Sequence, residues 1–454
     1  MNTIEKSVAS EMSSTTNALA LRRRVLGLAG PVIGENLLQT LLGVVDTLLV
    51  AGLGTVALAG VGTALQVVFV IIAALSALSV GASVLVAQAV GRANFADAGR
   101  LARQAIIWSI LIAIPITALG LPLAPAIIQL FGVAPDVALV ASDYLSVTMG
   151  AIGALILMLI VSGVLRGAGD SRTPMLVTGL INVINVGLCY LLIYGAFGLP
   201  GMGAVGSAWG TLISRVIGAG LLITVIWYGR NGVRAAGGSW WPQLSAFRNV
   251  LRIGLPAALE EVLVIGAFAT LTPVVASLGT VSLAAHRVAI NVLSLSFLPG
   301  IGFGLAATAL VGNAIGAARP AEARAVTLIA MRWAIAWMGG LGLIFLFGAP
   351  LLVRLFSADP LLIDEGANAV RIVALTQPFW AITFVLGGAL RGTGDTRTPL
   401  WITGVAVWLA VVIAYAAVNL LTPHLWAVWG AFLVIGPIET IFFWRAWQRA
   451  TAKF

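Results

Sequence analysis

The stretch Leu165 to Met175, LRGAGDSRTPM, returns 225 residues later as Leu390 to Leu400, LRGTGDTRTPL, with eight of eleven positions identical. Chance does not produce such a match in a chain of 454 residues, so the chain carries an internal repeat. The same offset places Pro31 on Pro256, Glu35 on Glu260, LGTVALA (from Leu53) on LGTVSLA (from Leu278), Gly91 on Gly316 and Asp97 on Glu322. One constant offset over nearly the whole length permits only two copies of one scaffold, with almost no net insertion between them.

The scaffold belongs in lipid. Only 9% of the residues are charged and 60% are hydrophobic, whereas a soluble globule carries about 25% charged residues. Apolar runs of about 18 residues or more, the length that crosses a bilayer core, recur throughout. They predict twelve spans: 25–51, 57–90, 101–124, 138–165, 174–196 and 203–228 in the first half, and 250–276, 282–315, 325–348, 368–390, 399–420 and 425–447 in the second. The expected fold is an all-α polytopic membrane protein of two six-helix lobes related by a parallel repeat. Arg residues collect in every second loop (Arg92, Arg100 and Arg103; Arg166 and Arg172; Arg230, Arg234 and Arg248; Arg319 and Arg324; Arg391 and Arg397), with Arg354 the exception. Positive charge stays inside, so both termini are expected in the cytoplasm and the protein in the cell (inner) membrane. An even number of spans per half gives both halves the same orientation, with the repeat axis along the membrane normal.

The domains follow from these runs. Residues 1–24 are read as a cytoplasmic tail, loose over 1–20, and 25–228 as the N-lobe. The polar, Gly-rich stretch 229–249 is read as the inter-lobe linker, with Trp240 and Trp241 at headgroup level. Residues 250–447 form the C-lobe and 448–454 a second cytoplasmic tail. No cleavable signal peptide is read in the polar N-terminus. Cys189 is the single cysteine, which leaves no intrachain disulfide. The net charge of +9 is spread over loops without a concentrated patch, so nucleic acid is not an expected partner.

In the repeated RGxGDxRTP loop, Pro174 and Pro399 suit the first turn of the following helix. Thr173 and Thr398 are expected to cap it, and Arg166, Asp170 and Arg172 to pair with one another or with helix ends. No Lys follows the glycines, so no nucleotide is expected as cofactor or energy source. Ionisable residues inside spans are costly and are functional candidates by default. Glu35, Gln39 and Asp46 lie on one stripe of the first span. A carboxyl there can exchange a proton, or hold Na⁺ or an organic cation, and Asp46 is the expected cation-coupling residue. Asn182, Asn185 and Cys189 share a face of the fifth span, where the amides either hold a carboxyl from the first span or glue helices together. Glu260 and Glu261 are adjacent, about 100° apart on a helix, and do not form a dyad. Glu35, Gln39, Asn182, Glu260 and Glu261 are the expected lining of a substrate or cation cavity. Arg215, Arg287, Glu439 and His286 are read as structural. No His/Cys/Asp/Glu cluster has metal-ligand spacing, which argues against a metal centre and against a membrane-embedded enzyme; Na⁺ at Asp46 is the one metal ion considered. A channel fits a two-lobe repeat less well than alternating access does.

VVDTLLVAGLG (Val44 to Gly54), VAQAVGR (Val86 to Arg92) and both copies of LRGxGDxRTP give the chain a resemblance to the multidrug and toxic compound extrusion (MATE) transporters, from about Pro31 to Trp447. The resemblance implies a twelve-helix exporter that exchanges amphipathic, often cationic, small molecules for H⁺ or Na⁺, acting as a monomer in membrane lipid. Asp46 looks like the family's first-span coupling acid and Asn185 like the asparagine that supports it. In the DinF-like branch an Asp usually stands where this chain has Cys189. In the NorM-like branch acids stand where it has Val264 and Trp380. The pattern is closer to the DinF-like branch and departs from both. A lipid or lipid-linked oligosaccharide flippase of the same superfamily is the alternative. It would be expected to have a more basic cavity than Glu35, Asp46, Glu260, Glu261 and Glu439 provide, although Arg215 and Arg287 fit it.

Overall fold

The computed structural model describes residues 2–195, 198, 200–420 and 422–452, with side chains from residue 19 onward. Among them are twelve helices: α1 (Asn2–Ala51), α2 (Thr55–Gly91), α3 (Phe95–Gln129), α4 (Pro135–Gly167), α5 (Arg172–Tyr194), α6 (Ala204–Tyr228), α7 (Leu244–Ala276), α8 (Thr280–Gly316), α9 (Pro320–Arg354), α10 (Pro360–Thr393), α11 (Arg397–Leu420) and α12 (Leu425–Ala452). Each is long and apolar enough to cross a membrane, α1 over Leu19–Ala51. Several helices overrun their expected apolar spans, because lipid sets the apolar run while polar caps set the helix end. The Asn94 side chain accepts from the Asp97 amide at 3.0 Å to start α3. Asp359 accepts from the Leu361 amide at 2.9 Å to start α10, with Pro360 in its first turn. The stretch expected as a loose tail is helical from residue 2. No Pro or Gly interrupts it before Gly27, so nothing local stops propagation from the first span.

The chain forms two compact units, residues 34–258 and residues 1–33 with 259–454. Both divisions fall inside helices, α1 and α7, one repeat length apart. The lobe limits expected at 25, 229 and 250 move accordingly. The cause is packing: Val25, Leu28 and Ala29 belong to the apolar core built from residues after 259, and Val250 belongs to the core of 34–258. The backbone at Gly254 approaches Ala77 so closely that a side chain would collide with it. Residues 229–249 are bound to the 34–258 unit. Arg230 and Val233 form a small antiparallel bridge, and the Ala235 amide donates to the Ile226 carbonyl at 2.8 Å. Gln104 donates to the Trp241 carbonyl at 2.8 Å and accepts from the Gln243 amide at 2.7 Å, and Trp108 stacks on Phe247 at 4.2 Å.

Both units follow one packing plan. In 34–258, α4 packs on α2, α3 and α6, and α6 on α5; in the other unit, α10 packs on α8, α9 and α12, and α12 on α11. Paired glycines allow the closest approach. Gly163 and Gly167 of α4 lie against the backbone of Ser79 and Ser83 in α2, and Gly388 and Gly392 of α10 lie against Gly304 and Thr308 in α8. A Cβ at Gly163 would stand 2.7 Å from the Ser79 carbonyl oxygen, and one at Gly392 2.7 Å from that of Thr308.

Candidate functional site

In the 34–258 unit the polar groups converge on Asp46, near the end of α1. The Cys189 thiol of α5 lies beside its carboxylate, and Arg215 of α6 supplies an opposing charge. Tyr144 of α4, itself buried, lies in the same electrostatic neighbourhood. Among the described residues Asp46 forms no ion pair, and its Oδ1 is buried without a hydrogen-bond partner. Behind the thiol runs a short polar chain. Cys189 Sγ donates to Asn185 Oδ1 at 3.4 Å, and Asn185 Nδ2 donates to Thr211 Oγ1 at 3.1 Å and to Ser214 Oγ at 3.2 Å. Asn185 thus ties α5 to α6 one turn before Cys189. A Cβ at Gly210 would collide with Cys189, so the two helices meet closely behind the acid.

The other candidates of the first stripe separate. Glu35 is buried and paired with Arg166 at 3.1 Å. Gln39 is exposed. Asn182 Nδ2 donates to the Leu38 carbonyl at 2.7 Å, so it ties α5 to the backbone of α1 and holds no carboxyl. Glu35 and Gln39 thus do not join Asp46 in one site; their shared helix face does not say what each meets on other helices. In the repeated loop the capping is done by aspartate. Asp170 accepts from the Arg172 and Thr173 amides at 3.0 and 3.1 Å, from Thr173 Oγ1 at 2.6 Å and from Arg230 Nε at 2.7 Å. Thr173 and Thr398, expected as caps, donate their hydroxyls to Asp170 and Asp395. Arg166, expected to pair within the loop, reaches Glu35. Burial alone pushes the Asp170 carboxyl up, but the hydrogen bonds from Thr173 and Arg230 and the Arg230 charge outweigh it and hold the group below its ordinary value of 3.8.

The second half repeats the ion pair and adds something else. Glu260 binds Arg391 at 2.7 Å, one repeat length on from Glu35 and Arg166. Glu260 also lines a cavity of about 130 Å³ with Glu439 of α12, Thr403 of α11, Thr383 and Trp380 of α10, and aromatic walls from Phe268, Phe297, Phe384 and Phe432. Val264 and Trp380, where the NorM-like pattern has acids, are part of this wall. Glu261 is exposed and lies outside it. Glu439, read from sequence as a structural partner, interacts with Glu260 and Thr403. His286 packs against Trp429 at 5.4 Å. No group of His, Cys, Asp and Glu among the described residues could hold a metal ion. The Glu35–Arg166 pair was within reach of the sequence, since both members recur at the same offset. Glu439 was not, since its repeat position holds Ser214.

The family model MatE matches residues 31–191 and 256–416, two segments at the repeat offset. A probable multidrug resistance protein NorM of Thermotoga maritima is 36% identical over 428 residues, covering 93% of this chain and 90% of that protein. A multidrug resistance protein NorM of Burkholderia vietnamiensis is 30% identical over 434 residues, 92% of each. Among solved structures, a MOP superfamily transporter from Pyrococcus furiosus, described by the reverse polarity of its binding pocket, superposes with a TM-score of 0.86 at 23% identity, over 95% of this chain and 96% of that one. A MATE protein in complex with MaL6 gives 0.88 at 23% identity, over 95% and 97%. At these identities the structural likeness is one of fold.

Proposed function

The chain belongs to the MatE family of membrane transporters and is not an enzyme, and we propose that it is a secondary antiporter exporting small amphipathic or cationic organic compounds, with Asp46 as the coupling acid. One observation carries the reading. Glu35 and Glu260 are each tied to an arginine, while among the described residues the Asp46 carboxylate has no ion pair and keeps one buried oxygen unpartnered. That oxygen is free to take a proton or a cargo cation in turn. The coupling ion is H⁺ or Na⁺, and the neighbours favour H⁺. Alkali and alkaline-earth ions prefer a shell of several oxygens, whereas Asp46 is met by a thiol and faced by a guanidinium. In the proposed cycle Asp46 holds the proton in one state and gives it up in the next. Arg215 then balances the carboxylate, or a cationic compound takes its place, while Asn185, Thr211 and Ser214 keep α5 and α6 in register behind it. The basic loops support cytoplasmic termini in the cell membrane, and the relatives' names support multidrug export.

The test is reconstitution in liposomes with ethidium as cargo and a pH or Na⁺ gradient imposed separately. Dye movement is expected under the pH gradient, and Asp46→Asn is expected to cut it at least a hundredfold while thermal unfolding stays near wild type. Undiminished transport by that variant overturns the assignment. Arg215 beside Asp46 is the feature that favours a flippase of phosphate-bearing lipid instead; phospholipid scrambling without dye movement under either gradient would establish that reading.

A further inference from the structure

Residues 229–249 and the start of α3 form a basic and aromatic surface that has no part in coupling at Asp46. We propose that this surface binds the headgroup of an anionic phospholipid, with Arg103 and Arg234 on its phosphate and Trp240 and Trp241 beside it.

Charge sets the sign of the ligand. Between Asp170 and Glu260 the chain holds six arginines and no acidic residue. The acids at this end of the unit are already engaged: Asp97 pairs with Arg92 and Arg100, and Asp170 with Arg230. Arg103, Arg234, Arg248 and Arg252 form no ion pair among the described residues. The Arg103 guanidinium lies against the backbone of Gly238, where a Cβ would collide with it, and its Nε is buried without a hydrogen-bond partner. A Cβ at Gly99 would strike the Arg234 carbonyl and stand 3.8 Å from Arg103 Nη1, so the two arginines converge on one point of α3. A half-buried charge without a counterion is costly, and among the described residues no carboxylate supplies one. The counterion comes from outside the chain.

Depth and aromatic character set the class. Arg103 stands where the apolar run of α3 begins, Trp227 and Tyr228 where that of α6 ends, and Arg248 just before that of α7. This is headgroup level, where Trp and Tyr gather. Trp227 stacks on Trp240 at 5.6 Å, and Tyr228 and Trp241 are 77% and 78% exposed. A free phosphate ion has no use for these rings, whereas a lipid carries its phosphate and glycerol at the same depth. A zwitterionic headgroup also brings an ammonium, which the unpaired arginines repel. The surface is fixed in advance, because Arg100 donates to Gln243 Oε1 at 2.8 Å and Gln104 holds Trp241 and Gln243 by their backbone. These groups belong to one half alone: Arg100, Arg103 and Gln104 fall on Ala325, Leu328 and Ile329 across the repeat.

The test is native mass spectrometry of the full chain, titrated in detergent with phosphatidylglycerol or with phosphatidylcholine of the same acyl chains. Phosphatidylglycerol is expected to bind at least tenfold more tightly. Arg103→Gln and Arg234→Gln should each weaken it about fivefold, the worth of one basic residue near an anionic surface, and together bring it down to phosphatidylcholine. Arg103→Lys should keep most of the preference, and Trp241→Ala should weaken both lipids alike. Arg234 is exposed, so its variant keeps the packing that Arg103→Gln disturbs, and thermal unfolding of each separates lost binding from lost fold. Arg319→Gln, at an exposed arginine of the other half, and Asp46→Asn should leave the preference unchanged, so the lipid site and the transport reading stand or fall separately. Equal affinity for the two lipids, a preference indifferent to both glutamine variants, an equal loss from Arg319→Gln, or inorganic phosphate binding as tightly as phosphatidylglycerol would each overturn the proposal.

Discussion

The two halves share one frame and differ in where they place polar chemistry. Helix order, the paired glycines and the buried Glu–Arg pair recur at the 225-residue offset. The acid sites do not. Asp46, Asn185 and Cys189 fall on Leu271, Ala410 and Ala414, all fully buried in the second half's apolar core. Conversely Glu439 falls on the uncharged Ser214, while Thr403 keeps a threonine, Thr178, as its counterpart. Identity across the repeat therefore marks what the frame needs, and a carboxyl whose counterpart carries no charge marks what one half does alone. By that measure the Glu–Arg pairs hold structure, and Asp46 and Glu439 are specialised.

The largest effect should come from breaking the shared pair. Removing one partner of a buried ion pair strands the other charge and costs about 3–5 kcal/mol. Arg166→Ala should approach that figure, because the Arg166 and Glu35 side chains are 13% and 6% exposed. Arg391→Ala should cost less, because Arg391 is 24% exposed and Glu260 has the cavity on its other side. Replacing both members, as in Glu35→Gln with Arg166→Met, should restore most of the loss in unfolding experiments in detergent. Equal losses for the two arginines would mean that the cavity does nothing to relieve Glu260.

This comparison also shows what could be read from the residues. The twelve helices and the repeat were legible because hydropathy and identity are local signals. The partners of Glu35 and Glu260 lie 131 positions away, where helix periodicity is silent, and only the joint recurrence of all four residues at one offset points to them. The stripe that joined Glu35, Gln39 and Asp46 was correct as geometry on α1 and silent on which neighbour each would meet. The cavity draws its lining from five helices, α7, α8, α10, α11 and α12, and Trp380 and Val264, which stand where the NorM-like pattern has acids, form part of its apolar wall.

A middle-sized effect is expected at the repeated loop, where the halves differ by one arginine. Asp170 takes Arg230 as well as its capping bonds, while Asp395 takes the Thr398 amide and hydroxyl and no ion pair among the described residues. Since the folded-state carboxyl of Asp170 lies below its ordinary value of 3.8, its contribution is present above that pH and is lost as pH falls through the lower folded value. Arg230 is 52% exposed, so solvent screening limits its share to roughly 0.5 kcal/mol. Asp170→Asn should cost about 1 kcal/mol at neutral pH, on the scale of a lost helix cap, and should flatten the acid limb of the stability profile. Arg230→Ala should do about half as much. An unchanged acid limb in Asp170→Asn would place the acid sensitivity elsewhere.

The smallest effect concerns the turns that end four of the helices. After α4 and α10 the chain turns through Gly169 and Gly394 in left-handed geometry, with the Asp170 and Asp395 amides donating back to the Leu165 and Leu390 carbonyls at 2.9 and 3.2 Å. After α2 and α8 the same turn is made by Ala93 and Ala318, at φ of 56° and 54°, with the Asn94 and Arg319 amides donating to Ala89 and Ala314 at 3.0 and 2.8 Å. The turn usually calls for glycine, and an L-residue there is strained by about 1–2 kcal/mol, partly offset because glycine frees the unfolded chain. Ala93→Gly and Ala318→Gly should each stabilise by up to about 1 kcal/mol, a rise in Tm of about 1–2 °C in a chain of this size. The gain should be equal in the two halves, since here the repeat has kept the strain along with the frame. A rise in only one of them would show that its partner's alanine methyl makes a contact worth the strain.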